Sequence, residues 1–359
     1  MIRVTTNGTL RGYRSSLMRS TNNLNAARDK VLTQRNFNSF AEDPTAATQA
    51  FKLRRSFSRV DDQLSNNKNL TKKYQTAWDA LSTVKTDLVE KEGKVSALAA
   101  LNSPTASGRQ PLAQILEGAA KSIVQTMNAQ YGSEFVFAGN DSLDGAPFAF
   151  IEEREVTYLT YRGVKVDAAN GTDDLTKLYA MDGKDEDGRP AKNGEANYVD
   201  VGAGLTETNG AVLSTSAFNG ALSGIEYLGY GLDEDGDPKN VASIMMELSG
   251  IFSRCDADSG DYADSKDAED AERLAGKLND ALNEVINKWT QLDAKASYLE
   301  DNEDRLSTMA NELNEQILEI EQVDMADAIT EFSWAQYCYN AALKVGNSIL
   351  SQSLIDYMS

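Results

Sequence analysis

The sequence predicts a mainly α fold with an inserted β-rich domain, in which both chain ends build a terminal coiled coil and the segments next inward build a long antiparallel helical rod. Three observations carry this. Apolar residues recur every seventh position at Leu10, Leu17, Leu24 and Val31, and again at Leu278, Val285, Leu292, Leu299, Leu306, Leu313 and Ile320. A seven-residue repeat held this long marks a helix with one narrow seam, which another helix must cover. Glycine is uneven: residues 151–265 hold 15 of the 25, a density that fits loops and short strands rather than a continuing coiled coil. Charge is uneven too. Residues 1–60 carry 11 Lys and Arg against 3 Asp and Glu, for +8, whereas residues 311–359 carry 1 against 8, for −7. The two ends are electrostatically complementary.

The first helix is expected from Leu10 to Gln34, with Tyr13 and Ala27 filling the three-residue offsets of the seam. It stops at Asn36-Phe37-Asn38-Ser39-Phe40, and Asp43-Pro44 restarts helix, with Asp as N-cap and Pro at the first helical position. From Pro44 to Leu101 a second helix carries the seam Val60, Leu70, Tyr74, Ala77, Leu81, Val84, Leu88, Val95 and Leu98. After the Ser103–Gly108 turn, a shorter helix from Pro111 to Tyr131 folds back as a hairpin. Short strands are expected at Glu134–Ala138 and Val156–Tyr161, which are rich in aromatic and β-branched residues. Val241–Phe252 reads as a helix leading out of the insert. Helix returns over Asp267–Gln322, nearly as long as Pro44–Leu101, each about 85 Å at 1.5 Å per residue. Equal lengths favour antiparallel pairing. The last helix, Met325–Tyr357, presents Ile329, Phe332, Tyr339, Leu343 and Leu350 on one side, interrupted by Gln336 and Gly346.

These elements divide the chain into a terminal coiled-coil domain, residues 1–43 with 323–359; a rod domain with a short β-hairpin, 44–150 with 266–322; and an acidic, glycine-rich β domain, 151–265. The assembly seam is then Leu10, Leu17, Leu24, Val31, Ile329, Phe332, Tyr339, Leu343 and Leu350. The rod core is Leu70, Tyr74, Leu81, Leu88, Leu278, Val285, Leu292, Leu299 and Leu306. A thin terminal seam is marginally stable until neighbours cover it, so an isolated monomer is expected to lose about thirty residues from each end to protease.

Chemistry is constrained by what is missing. There is no histidine, and the cysteines are Cys255 and Cys338, which removes His-based nucleophilic catalysis and zinc sites of Cys and His. The formal charge of −20 repels phosphate backbones and anionic lipid, so neither nucleic acid nor membrane is an expected partner. No apolar run approaches a membrane span, and the first residues lack the core of a cleaved signal peptide. The turns Asp185-Glu186-Asp187-Gly188 and Asp233-Glu234-Asp235-Gly236-Asp237 invite a calcium reading. With either glycine as sixth residue, however, the first and twelfth ligand positions fall on Gly183 and Gly194, or on Gly231 and Ala242. They read as solvated turns. Glu152-Glu153 reads as a chance pair in an acidic chain rather than glycosidase acids. No catalytic residue, metal or cofactor is expected. Trp334 and Tyr337 lie off the seam of the last helix and are candidates for contacts between subunits.

Three segments carry a family resemblance. Ala41-Glu42-Asp43-Pro44-Thr45-Ala46-Ala47-Thr48-Gln49-Ala50 resembles the segment after the first helix of flagellins. Tyr131-Gly132-Ser133-Glu134-Phe135-Val136-Phe137-Ala138-Gly139, followed by Ala146-Pro147-Phe148, is similar to a stretch typical of hook-filament junction proteins, the hook-associated protein 3 family of the bacterial flagellin superfamily. Val323–Glu331, Ala341–Gly346 and Ser353–Tyr357 resemble that family's C-terminal signature. The resemblance implies a structural, non-enzymatic protein that forms a ring with copies of itself, between hook-associated protein 1 and flagellin. It also implies escort by a cytoplasmic export chaperone, export through the flagellar type III apparatus without a cleaved signal, and an extracellular place in the flagellum. A filament flagellin paralogue and, in another class, a cytosolic coiled-coil adaptor are the alternatives.

Overall fold

The computed structural model describes residues 6–102, 106–140, 145–153, 156–167, 196–208, 211–213, 216–256 and 259–358. The fold is mainly α, with long helices at both ends and a β-rich insert between them. Helix α1 spans Thr6–Thr33 and α2 Pro44–Thr83; a π-helical segment, Val84–Lys94, continues into α3, Val95–Leu101. After α4, Ala106–Met127, come the two-residue strands β1 (Gln130–Tyr131), β2 (Glu134–Phe135) and β3 (Ala138–Gly139). The insert adds β4 (Phe148–Glu153), β5 (Val156–Tyr161), β6 (Val164–Lys165), β7 (Tyr198–Val199), β8 (Glu207–Thr208), β9 (Ala211–Val212), β10 (Phe218–Asn219) and β11 (Leu222–Ser223). The chain returns through α5 (Gly224–Leu228), α6 (Val241–Ser253), α7 (Ser265–Glu321) and α8 (Met325–Met358). It divides into two compact units, 1–61 with 307–359, and 62–306.

Local chemistry explains the helix starts. Asp43 Oδ1 accepts from the amides of Thr45 (3.0 Å) and Ala46 (2.9 Å), with Pro44 at the first helical position of α2. Asp324 does the same for α8, accepting from Ala326 at 2.7 Å. Asn240 caps α6 through Ala242 at 2.9 Å.

In the central unit α2 and α7 run antiparallel. Asn67 donates to the Leu299 carbonyl at 2.7 Å, Trp78 to Asp293 at 2.8 Å and Lys94 to Asn279 at 2.7 Å, so one index climbs as the other falls. The Trp78 and Trp289 rings meet at 5.3 Å, with the Lys85 ammonium 3.7 Å from the Trp289 ring centre. Leu70, Tyr74, Leu81, Leu88, Leu278, Val285, Leu292, Leu299 and Leu306 are all buried. Beyond Val84 the heptad expectation is corrected. Val95 and Leu98, which the repeat assigns to the seam, are 59% and 47% exposed, and Val89, Gly93, Ser96, Ala97 and Ala100 are buried instead. The wider i→i+5 turns of the π segment advance each residue by less than the roughly 100° of an α-helix, so the buried face slips in phase. The slip brings Gly93 against Met245 of α6: a Cβ there would sit 3.0 Å from the Met245 methyl.

Phe137, Phe148, Tyr161 and Phe252 fill the core where α4 and α6 meet the insert, joined by Leu116, Ile123 and Met127. Strands β4, β5 and β6 form an antiparallel sheet, Phe148 opposite Tyr161. The β5–β6 turn places Arg162 at φ 50° and Gly163 at φ 82°, the mirror-image geometry that suits a two-residue hairpin. The Tyr161 hydroxyl donates to the Phe137 carbonyl at 3.1 Å and ties this sheet to the loop before β3.

A polar cluster lies where the insert meets α2 and α7. Asn302 donates to Asn67 Oδ1 (2.8 Å) and to the Val201 carbonyl (2.9 Å), and both asparagines are buried. The acidic turn at 233–237 is not the solvated loop expected. Lys277 lies within 2.9 Å of Asp233, Asp235 and Asp237, and Arg273 forks onto Asp237 at 2.7 and 3.0 Å. Arg273 first, then Lys277, hold the Asp237 carboxyl down at about 2. The three carboxylates converge as metal ligands do, yet the protein's own ammonium group already serves them. The turn at 185–188 lies outside the described residues.

Candidate assembly surface

Helices α1 and α8 pair antiparallel. The Arg35–Gln322 bridge closes one end, Lys30 reaches Glu331 at 3.0 Å, and Tyr13 lies against Gly346 near the other end. On α1 the inward positions are Leu10, Tyr13, Leu17, Ser20, Leu24, Ala27 and Val31, alternating steps of three and four; Ala27 is buried and the others half-buried. On α8 they are Met325, Ala328, Phe332, Ala335, Tyr339, Ala342 and Gly346, again in threes and fours. Ala328, Ala335 and Gly346 are the buried ones.

With equal rise per residue, Tyr13 opposite Gly346 sets Leu17 level with Ala342, Leu24 with Ala335, Ala27 with Phe332 and Val31 with Ala328. Large faces small at each level, so side chains interdigitate without spreading the helices. Gly346, which in the sequence interrupts the apolar face, is where the Tyr13 phenol packs; any side chain there would overlap the ring. The large apolar residues of the sequence reading separate accordingly. Phe332 and Tyr339 are half-buried, Ile329 is 50% exposed, Leu343 is exposed, and the Leu350 side chain lies outside the described residues. Alanines supply the contact that a search for large apolar residues passes over, because alanine is common on any helix face.

What remains open is the outer face of α8. Trp334 and Tyr337 are each 67% exposed and stack at 5.9 Å, and Val345 and Cys338 are exposed as well. From Phe332 to Ile355 the one charged residue is Lys344. A helix this poor in charge on every side is built to be covered on more than one side. Met18 and Leu32 on α1 and Phe40 and Phe51 nearby are exposed too. Among the described residues no helix is long and apolar enough to cross a membrane. Glu153, at the end of β4, pairs with Lys165 at 2.5 Å.

Fold and surface together define a class: helical chains whose two ends pair through a narrow seam around an inserted β-rich region, with a further apolar face left uncovered. Residues 275–358, which span most of α7 and all of α8, match the family model of the bacterial flagellin C-terminal helical region. Among solved structures the chain is similar to a protein assigned as flagellar hook-associated from Vibrio parahaemolyticus. Identity is 16%, coverage is 78% of this chain and 100% of that one, and the TM-score is 0.54, which shows a shared fold. Bacillus cereus FlgL is similar at 16% identity over 74% of this chain and 99% of its own, with a TM-score of 0.44. For Xanthomonas campestris FlgL the values are 14%, 72%, 99% and 0.35. No curated protein sequence matches.

Proposed function

We propose that this chain is a structural, non-enzymatic subunit of the bacterial flagellum that joins the hook-associated complex to the flagellin filament. The match of residues 275–358 to the flagellin C-terminal helical region carries the reading, because that segment includes the helix whose outer face is open. The fold shared with the Vibrio protein assigned as hook-associated supports it. The working contact is coiled-coil assembly. Leu10, Leu17, Leu24 and Val31 with Phe332 and Tyr339 hold one chain's ends together, and neighbouring copies in a ring cover Trp334, Tyr337, Ile329 and Leu343. Each square ångström of apolar surface so covered contributes about 25 cal/mol. Hook-associated protein 1 on one side and flagellin on the other are the axial partners. A cytoplasmic chaperone masks the ends before export through the type III apparatus, which needs no cleaved signal. In this reading residues 1–43 with 323–359 form the assembly domain, 44–150 with 266–322 its support, and 151–265 an outward insert.

Deleting the gene tests this. Cells should retain hooks but lose filaments, with flagellin shed into the medium, and gold-labelled antibody on wild-type cells should mark the hook-filament boundary. Label along the whole filament would instead assign the chain as a flagellin, and label confined to the cytoplasm would make it an adaptor.

A further inference from the structure

The central unit holds a cleft of about 750 Å³ whose walls include Phe150 of β4, Tyr158 of β5, Ser243 and Glu247 of α6, and Asp167 just after β6. Asp167 is the residue there whose chemistry is unresolved. One carboxylate oxygen accepts from the Ser243 hydroxyl at 2.5 Å; the other is buried and meets no hydrogen-bond partner among the described residues. An ionised carboxylate in that position leaves a charged, desolvated oxygen unanswered, which is costly; protonation removes the charge and lowers the cost to that of an unpaired neutral polar atom.

Among the described residues, the surrounding charges do not relieve it. From α7, Arg273 is committed to Asp237 and Asp270, and Arg254, after α6, is committed to Asp267 of α7 at 3.1 Å. Glu117 of α4 and Glu247 add further negative charge to the walls. Loss of water therefore pushes Asp167 up to about 6, against the Ser243 hydrogen bond. Glu247 goes up to about 7, by loss of water first and then by the charges of Asp237 and Asp167. The hairpin end that carries Asp167 is otherwise held by the amide of Val166 on the Leu159 carbonyl and by Gly231 on the Val166 carbonyl, each at 2.9 Å.

We infer that the buried Asp167 end of the β5–β6 hairpin is a proton-operated clasp on α6, seated against Ser243 while Asp167 is neutral and drawn out to water when it ionises, because the cost of burying the charge outweighs the stronger hydrogen bond that a carboxylate accepts from Ser243. The inference does not rest on the assembly reading. Its sign follows from linkage: the folded value lies above the ordinary 3.8, so the contribution is fully present below about 4 and is lost as pH rises through about 6.

Hydrogen exchange of the amides of residues 164–166 tests it in the full chain, after correction for intrinsic rates. Between about pH 5 and pH 8 the opening equilibrium should rise by about tenfold in the wild type. Asp167→Asn should abolish that rise, Ser243→Ala should expose the hairpin already at pH 5, and Glu247→Gln should leave the rise in place. A pH-independent wild type, or a response removed by Glu247→Gln and kept in Asp167→Asn, overturns the clasp. Should a variant fail to fold, a carboxyl NMR titration of wild-type Asp167 decides: a midpoint near 6 supports the clasp, and one near 4 overturns it.

Discussion

Along the central unit, large aromatic side chains are taken wholly out of water: Tyr74, Phe137, Tyr161 and Phe252 are 0% exposed. Along the α1–α8 pair the buried positions among the described residues are Ala27, Ala328, Ala335 and Gly346, and the aromatic residues Trp334 and Tyr337 face outward. Both regions use long helices from one chain. The difference lies in where the apolar area goes. One region places its large aromatic rings inside; the other leaves two of them outside, where a further surface can cover them.

The contrast can be attacked from its strongest side first. Phe137→Ala empties a site walled by the Tyr227 ring at 5.8 Å and should cost about 3–5 kcal/mol in urea unfolding followed by far-ultraviolet circular dichroism. A loss below about 1 kcal/mol would mean that the central core is not tight. Asn302→Ala leaves Asn67 Oδ1 and the Val201 carbonyl without a donor and should cost about 1–3 kcal/mol in the same assay. Gly346→Leu should force Tyr13 out of the seam, a cost of about 1–3 kcal/mol confined to the terminal pair. Limited proteolysis should then cut within residues 6–33 several-fold faster while the central fragment survives; equal cutting would erase the contrast. Smallest in the monomer is the double change Trp334→Ala and Tyr337→Ala, within about 0.5 kcal/mol, since both rings are exposed. The same variant should fail to incorporate into flagella, and normal incorporation would remove these rings from the proposed contact.

The architecture was largely legible because period and composition report it directly. A seven-residue repeat is visible over tens of residues, Asp43-Pro44 marks a helix start, and the glycine density marks the insert. Two features were hidden for definite reasons. The repeat extrapolates through Val95 and Leu98 because each is a good seam residue taken singly; only the π turns from Val84 to Lys94 move them outward. On the α8 side much of the α1–α8 contact is made by Ala328, Ala335 and Ala342, residues too small to stand out in a pattern where Ile329 and Leu343 are the conspicuous apolar positions. Lys277 was likewise unreadable, since forty residues separate it from the Asp237 carboxylate it meets.

Gly346 has one more effect. A heptad pattern repeats itself, so two such helices can in principle slide by seven residues and still present apolar faces to each other. Here a slide in one direction would set Tyr13 against Tyr339, two rings at a level with space for one. The missing side chain thus works as a detent: among the notches that the repeat permits, the ring of Tyr13 drops into one.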